Sequence, residues 1–106
     1  MKEDKNAAKD FILRNSAVNY MALNVNRDIM HRYGLNVAVA ISALFDMWRA
    51  AGCVSGFFPC TVDAFEKMTT LSRYQQTDVF AILKEIDFIE VARKGQPALR
   101  YVKINF

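Results

Sequence analysis

Thr61-Val62-Asp63-Ala64-Phe65-Glu66-Lys67-Met68-Thr69-Thr70-Leu71-Ser72 is the stretch that decides how this chain of 106 residues folds. Thr61 is placed to cap a short helix over Val62 to Met68, and Asp63 suits the positive end of that helix. Val62, Phe65 and Met68 then face inward. Thr69, Thr70 and Leu71 make a tight connection. Ser72 and Gln75 form the Ser-x-x-Gln capping-box pattern, which opens a further helix running to about Asp87.

Downstream, the period of the apolar residues changes from helical to alternating at Phe88. Phe88 to Arg93 and Leu99 to Phe106 read as two strands, the second with Val102, Ile104 and Phe106 on one face. Lys94-Gly95-Gln96-Pro97 joins them as a hairpin turn. Gly52 to Cys60, with two glycines and Pro59, reads as a loop with a brief extended piece at Phe57 to Cys60.

Upstream, a helix is expected over Asn36 to Ala51. Val37, Ile41, Leu44, Phe45 and Trp48 recur at helical spacing, while Val39, Ala40, Ala43 and Met47 cover much of the remaining circumference. Such a helix is either central to the domain or covered on its second face by another subunit. Before it, Asn26 caps a short helix over Arg27 to Tyr33, which Gly34 stops. Val18 to Val25 fits strand and helix equally, and the charged first ten residues fit either a frayed end or the start of a helix.

The chain has the size of one small domain with one core, and 53% hydrophobic residues exclude a disordered chain. Its net charge of +3 is spread as six basic and four acidic residues over 1–34, two and three over 35–71, and six and four over 72–106. The middle is therefore the core segment, and no dense basic stripe is present. The polar opening lacks the pattern of an export signal, and Val37 to Phe45 is too short to span a bilayer, so a cytoplasmic protein without membrane contact is expected. Cys53 and Cys60 are expected to be reduced and packed. With His31 the only histidine, and on a helix surface, neither a metal centre nor a catalytic Cys-His or Ser-His-Asp set is expected. The reading is of a non-enzyme that needs no cofactor.

Helix, short helix, tight turn, longer helix and hairpin, in that order, resemble a winged helix-turn-helix domain of mainly helical α+β class. The run quoted above is similar to the first half of that motif. Leu83-Lys84-Glu85-Ile86-Asp87-Phe88-Ile89-Glu90-Val91 is similar to the passage from recognition helix to first wing strand. Gly34-Leu35-Asn36-Val37-Ala38, the Trp48 helix and the ending Tyr101-Val102-Lys103-Ile104-Asn105 resemble phage replication-initiation proteins and the DnaD-like N-terminal domain. The resemblance covers residues 34–106, the expected winged-helix domain. Residues 1–33 are then an N-terminal extension and a candidate dimerisation element. What the resemblance implies is binding of double-stranded DNA in replication or transcription control, with the helix from Ser72 in the major groove and the hairpin on phosphates or in the minor groove.

Residues about 100° apart around the Ser72 helix place Gln76, Val79, Phe80, Leu83 and Ile86 on its buried side. Outward lie Tyr74, Thr77, Asp78, Ala81, Lys84 and Glu85, flanked by Arg73, Gln75 and Ile82. Arg73, Tyr74, Gln75 and Thr77 are of the types that meet phosphates and base edges, and Arg93, Lys94, Gln96 and Arg100 supply the hairpin, with Lys103 near by. Asp78 and Glu85 oppose a polyanion. That opposition supports a second reading, a protein-interaction module or inhibitor on the same scaffold, binding a host nucleic-acid-handling protein through Tyr74, Asp78, Ala81 and Ile82. The apolar circumference at Ala40, Ala43 and Met47 motivates a homodimer.

Overall fold

A computed structural model describes residues 4–16 and 23–106. Residues 18–22 of the stretch that fits strand and helix equally lie outside the described residues, and 23–25 are neither helix nor strand. The described chain is α+β, with helices α1 (Lys5–Ser16), α2 (Arg27–Tyr33), α3 (Leu35–Ala50), α4 (Val62–Thr69) and α5 (Arg73–Glu85), and strands β1 (Phe58–Pro59), β2 (Ile89–Lys94) and β3 (Leu99–Ile104). Lys5 to Asp10 of the charged opening thus belong to α1. No described helix is long and apolar enough to cross a membrane.

Local chemistry sets the helix boundaries. The Asn26 side chain accepts the Ile29 N–H and starts α2, and Gly34, at φ +98°, ends it by donating its N–H to the Met30 carbonyl. That left-handed φ suits a residue without Cβ, and it lets α3 begin at the next residue. At α4 the Thr61 hydroxyl accepts the Ala64 N–H. The capping box at α5 is complete: Ser72 Oγ accepts from the Gln75 N–H at 3.2 Å, and Gln75 Oε1 accepts from the Ser72 N–H at 2.9 Å. Thr70 turns the chain between α4 and α5 in the left-handed conformation, at φ 64°.

Helix α3 is the central element. Val37, Ala38, Ala40, Ala43 and Leu44 are buried, and no side chain from Val37 to Trp48 is fully exposed. The cover on Ala40 and Ala43 comes from the chain's own elements, so their burial gives no reason to invoke a second subunit. Phe58, Phe65, Val79, Phe80, Leu83, Ile89, Val102 and Ile104 complete the core, with Leu23 and Tyr33 packed against it. Burying a side chain such as Phe65 removes enough apolar surface from water to contribute about 1.5–3 kcal/mol. Helix α2 is held to this unit, since Asn24, three residues before its start, donates its N–H to Ser42 Oγ on α3 at 3.0 Å. The indole N–H of Trp48 reaches the Val54 carbonyl at 2.8 Å and pins the loop that leads to β1.

The sheet is antiparallel, in the order β1-β3-β2. Register pairs are Phe58 with Val102 on one side of β3, and Ile89 with Ile104 through Lys94 with Leu99 on the other. The extended piece expected near Phe57 to Cys60 is thus a third strand, two residues long.

Four expectations about burial need correction. Cys53, expected to be packed like Cys60, is exposed, while Cys60 is buried. Met68 is 38% exposed, and Thr69 is buried in its place. The inward line of α4 runs i, i+4 from Phe65 to Thr69, whose hydroxyl donates back to the Phe65 carbonyl and so needs no solvent. Ile86 is 46% exposed because α5 ends at Glu85 and the chain turns away there. Phe106 lies beyond β3 and is exposed, yet its ring is 5.0 Å from that of Trp48.

Candidate functional site

Along α5 the buried line is Gln76, Val79, Phe80 and Leu83. Measured around the axis at about 100° per residue, Arg73, Thr77 and Lys84 fall on one flank, Tyr74, Ala81 and Glu85 at the outward centre, and Asp78, Gln75 and Ile82 toward the other flank. The two flanks border different surfaces. Arg73 shares a cleft with the start of α4 and the base of the hairpin, including Arg93 and Leu99. Thr77 and Lys84 line an adjoining groove against β2, again with Arg93. On the far flank, Gln75, Asp78 and Ile82 border a more apolar groove with Tyr33, Leu35 and Val37.

The expected site residues are thus divided. Arg73, Tyr74, Thr77, Arg93, Lys94 and Gln96 are all exposed, Tyr74 by 83%. Gln75 is exposed but engaged, because its amide oxygen completes the cap of α5. Thr77 donates its hydroxyl to the Arg73 carbonyl at 2.9 Å, leaving its oxygen free to accept. Lys94 rests its ammonium over the Phe57 and Tyr101 rings, 5.2 and 5.6 Å from their centroids. Lys103 faces Glu90 across the hairpin at 3.6 Å. Gln96 sits in the turn between β2 and β3.

Arg100 is not on the surface of the hairpin. It is 5% exposed and forms the polar centre of the domain. Its Nε donates to the Cys60 carbonyl at 2.6 Å, and one terminal nitrogen donates to Gln76 Oε1 at 2.8 Å. The guanidinium lies 4.2 Å from the centroid of Phe80. Gln76, itself 1% exposed, uses its amide nitrogen on the Val62 and Leu71 carbonyls at 3.1 and 2.9 Å. One amide and one guanidinium therefore join β3, both ends of α4 and α5. Every acceptor in this network is neutral. Burial pushes the Arg100 pKa down, the adjacent Cys60 thiol opposes that, and the charge of Arg93 adds to it. The guanidinium nevertheless stays charged, because an arginine starts from so high a pKa.

Sequence reasoning missed two features, and each had a signal. Arg100 shares its strand parity with Val102 and Ile104, so the alternation that buries those residues buries Arg100 too. Lys84 is at i+11 from Arg73 and i+7 from Thr77, which aligns the three on one stripe. Among the described residues no carboxylate forms an ion pair with Arg73, Lys84, Arg93 or Arg100. The stripe therefore offers uncompensated positive charge beside a hairpin, while the carboxylates of α5 lie elsewhere on its circumference.

Burial raises the pKa of the Cys60 thiol, against the influence of Arg100. His31 is exposed on α2. No group of three or more His, Cys, Asp or Glu side chains suited to a metal ion occurs among the described residues. Compared with known proteins, the chain matches no family model, no curated protein and no solved structure.

Proposed function

We propose that this chain is a winged helix-turn-helix module that binds double-stranded DNA. The order α3, β1, α4, α5, β2, β3, with β3 central in the sheet, supports the winged-helix reading. In this reading α5 enters the major groove and the turn between β2 and β3 is the wing. The observation that carries DNA binding is the basic flank of α5, Arg73 with Lys84, continuing onto Arg93 of the hairpin, none of which forms an ion pair among the described residues. Arg73 and Arg93 meet phosphates, Thr77 and Tyr74 reach base edges or the backbone, and Asp78 is turned to the opposite flank. A role in phage replication initiation or transcription control follows the resemblance of residues 34–106.

Electrophoretic shift of a duplex across salt concentrations tests the proposal. About three phosphate contacts give a log-log salt slope near −3. Arg73→Ala and Arg93→Ala each lower affinity for every sequence and reduce that slope by about 1. Thr77→Ala instead changes preference among sites, by about 1–3 kcal/mol at a contacted base pair. Absence of any shift at low salt with folded protein overturns the proposal.

A second reading, docking of a protein partner, is favoured by one observation: the groove on the far flank exposes Leu35 by 56% and Ile82 by 37% beside Asp78. Under this reading Ile82→Glu preserves the fold and abolishes a complex recovered from extract. Loss of that complex on nuclease treatment assigns it to nucleic acid instead.

A further inference from the structure

Arg93 and Arg100 are direct register partners on β2 and β3. Cross-strand partners project from the same face of a sheet, and like charges in that position oppose strand pairing. Here one of the two is also buried, which weakens solvent screening of their repulsion. Neutral carbonyls and the Gln76 amide oxygen satisfy the hydrogen bonds of Arg100 without cancelling its charge. A third guanidinium, that of Arg73, borders the same cleft, at the start of α5.

The remaining lining adds to the asymmetry. Thr61 and Val62 stand at the start of the eight-residue α4, where the helix dipole is positive. Asp63 is the single carboxylate on the cleft's lining. It is exposed, and it forms no ion pair with any of the three arginines. Three guanidiniums around one opening are self-repelling in the free chain, and a multiply charged oxyanion entering the cleft would reverse that balance. Guanidinium groups present paired N–H donors that match the oxygens of a phosphate.

We propose that the cleft between the starts of α4 and α5 and the base of the hairpin is a seat for one phosphate group, clasped by Arg73 and Arg93 and backed by Arg100. The source is a phosphate of a nucleic-acid strand, and that choice of source rests on the DNA-binding reading. The seat itself does not. The frame for this phosphate is built before it arrives, since Arg100 is already fixed by Cys60, Gln76 and the face of Phe80.

Thermal unfolding of the full chain, in inorganic phosphate against sodium chloride of matched ionic strength, tests the seat. Phosphate is expected to raise the midpoint by several degrees over chloride. Arg93→Gln removes that response, Arg73→Ala reduces it, and Lys67→Gln on the outer side of α4 retains it. Arg93→Glu sets a carboxylate opposite Arg100, so it raises the midpoint in chloride and abolishes the phosphate response. A phosphate effect no larger than that of chloride, or one that survives Arg93→Gln, overturns the seat. A second arm measures duplex and single-stranded DNA binding by the same variants. Unimpaired DNA binding by both Arg73→Ala and Arg93→Gln overturns the nucleic-acid source of the phosphate, while the seat itself stands or falls on the thermal arm. A phosphate response in a protein that binds neither form of DNA upholds the seat for free phosphate and overturns the nucleic-acid source.

Discussion

Replacing Gln76 by Leu keeps the side-chain volume close to native and removes only the polar lock. Three hydrogen bonds disappear: two from the Gln76 amide to the Val62 and Leu71 carbonyls, and one from Arg100 to Gln76 Oε1. The first two contribute about 1 kcal/mol each, and the charge-assisted one about 1.5–3 kcal/mol. Recovered apolar contact offsets part of this loss, whereas the buried Arg100 nitrogen loses its shortest acceptor and keeps only the longer contacts to the Thr61 carbonyl at 3.5 Å and Cys60 Sγ at 3.6 Å. A net cost of about 3–5 kcal/mol follows. For a domain of this size that lowers the thermal midpoint by roughly 15–30 °C. Urea titration followed by far-ultraviolet circular dichroism measures it, with an unchanged slope showing that the two-state comparison holds. Arg100→Met removes the other partner, and the double variant should cost less than the two single variants together by about 1–3 kcal/mol. A Gln76→Leu cost below about 1 kcal/mol, or strict additivity in the double variant, would refute the lock.

Ser72→Ala removes one half of the capping box and is expected to cost about 1 kcal/mol by the same titration, while Gln75→Ala removes the reciprocal half and costs a similar or smaller amount. Under native conditions iodoacetamide should modify the exposed Cys53 and spare the buried Cys60, as read by mass spectrometry; equal rates would show that the site around Arg100 opens readily. Because the folded Cys60 thiol has a raised pKa, its contribution to stability is complete below the ordinary thiol pKa. It is lost as pH climbs from there through the folded value, since only the unfolded thiol ionises at first. Denaturation midpoints measured across that alkaline range should fall more steeply for the native chain than for Cys60→Ala.

Most of the frame was legible because it depends on short-range chemistry. Asn26, Thr61 and Ser72 each cap the helix they were expected to cap, and Gly34 stops α2. The apolar positions of α3 and the alternation of β3 place the core. What local pattern does not carry is the partner of a side chain distant in sequence. Arg100 meets Cys60, forty positions away, and a residue type that usually marks a surface was read as one. Its parity with Val102 outweighs its charge only because Gln76 and the Cys60 carbonyl are there to receive it. Met68 and Ile86 were misplaced for a different reason. Both lie in the last turn of a helix or just past its end, where a difference of one residue in length decides whether a side chain meets the core. The candidate site was read at the level of its element, α5, and its two unlike flanks emerge only once the hairpin and α3 are seen to border opposite sides.

The Gln76–Arg100 lock has a further consequence for how such a surface can change over generations. The side-chain hydrogen bonds that fasten α5 to its neighbours are those of the inward Gln76, and positions 74, 77, 78, 81 and 85 are exposed. Exchanges there can redirect what the helix touches without loosening its mounting. A partner also meets a rod already held at a set angle, and it loses little binding free energy to ordering it.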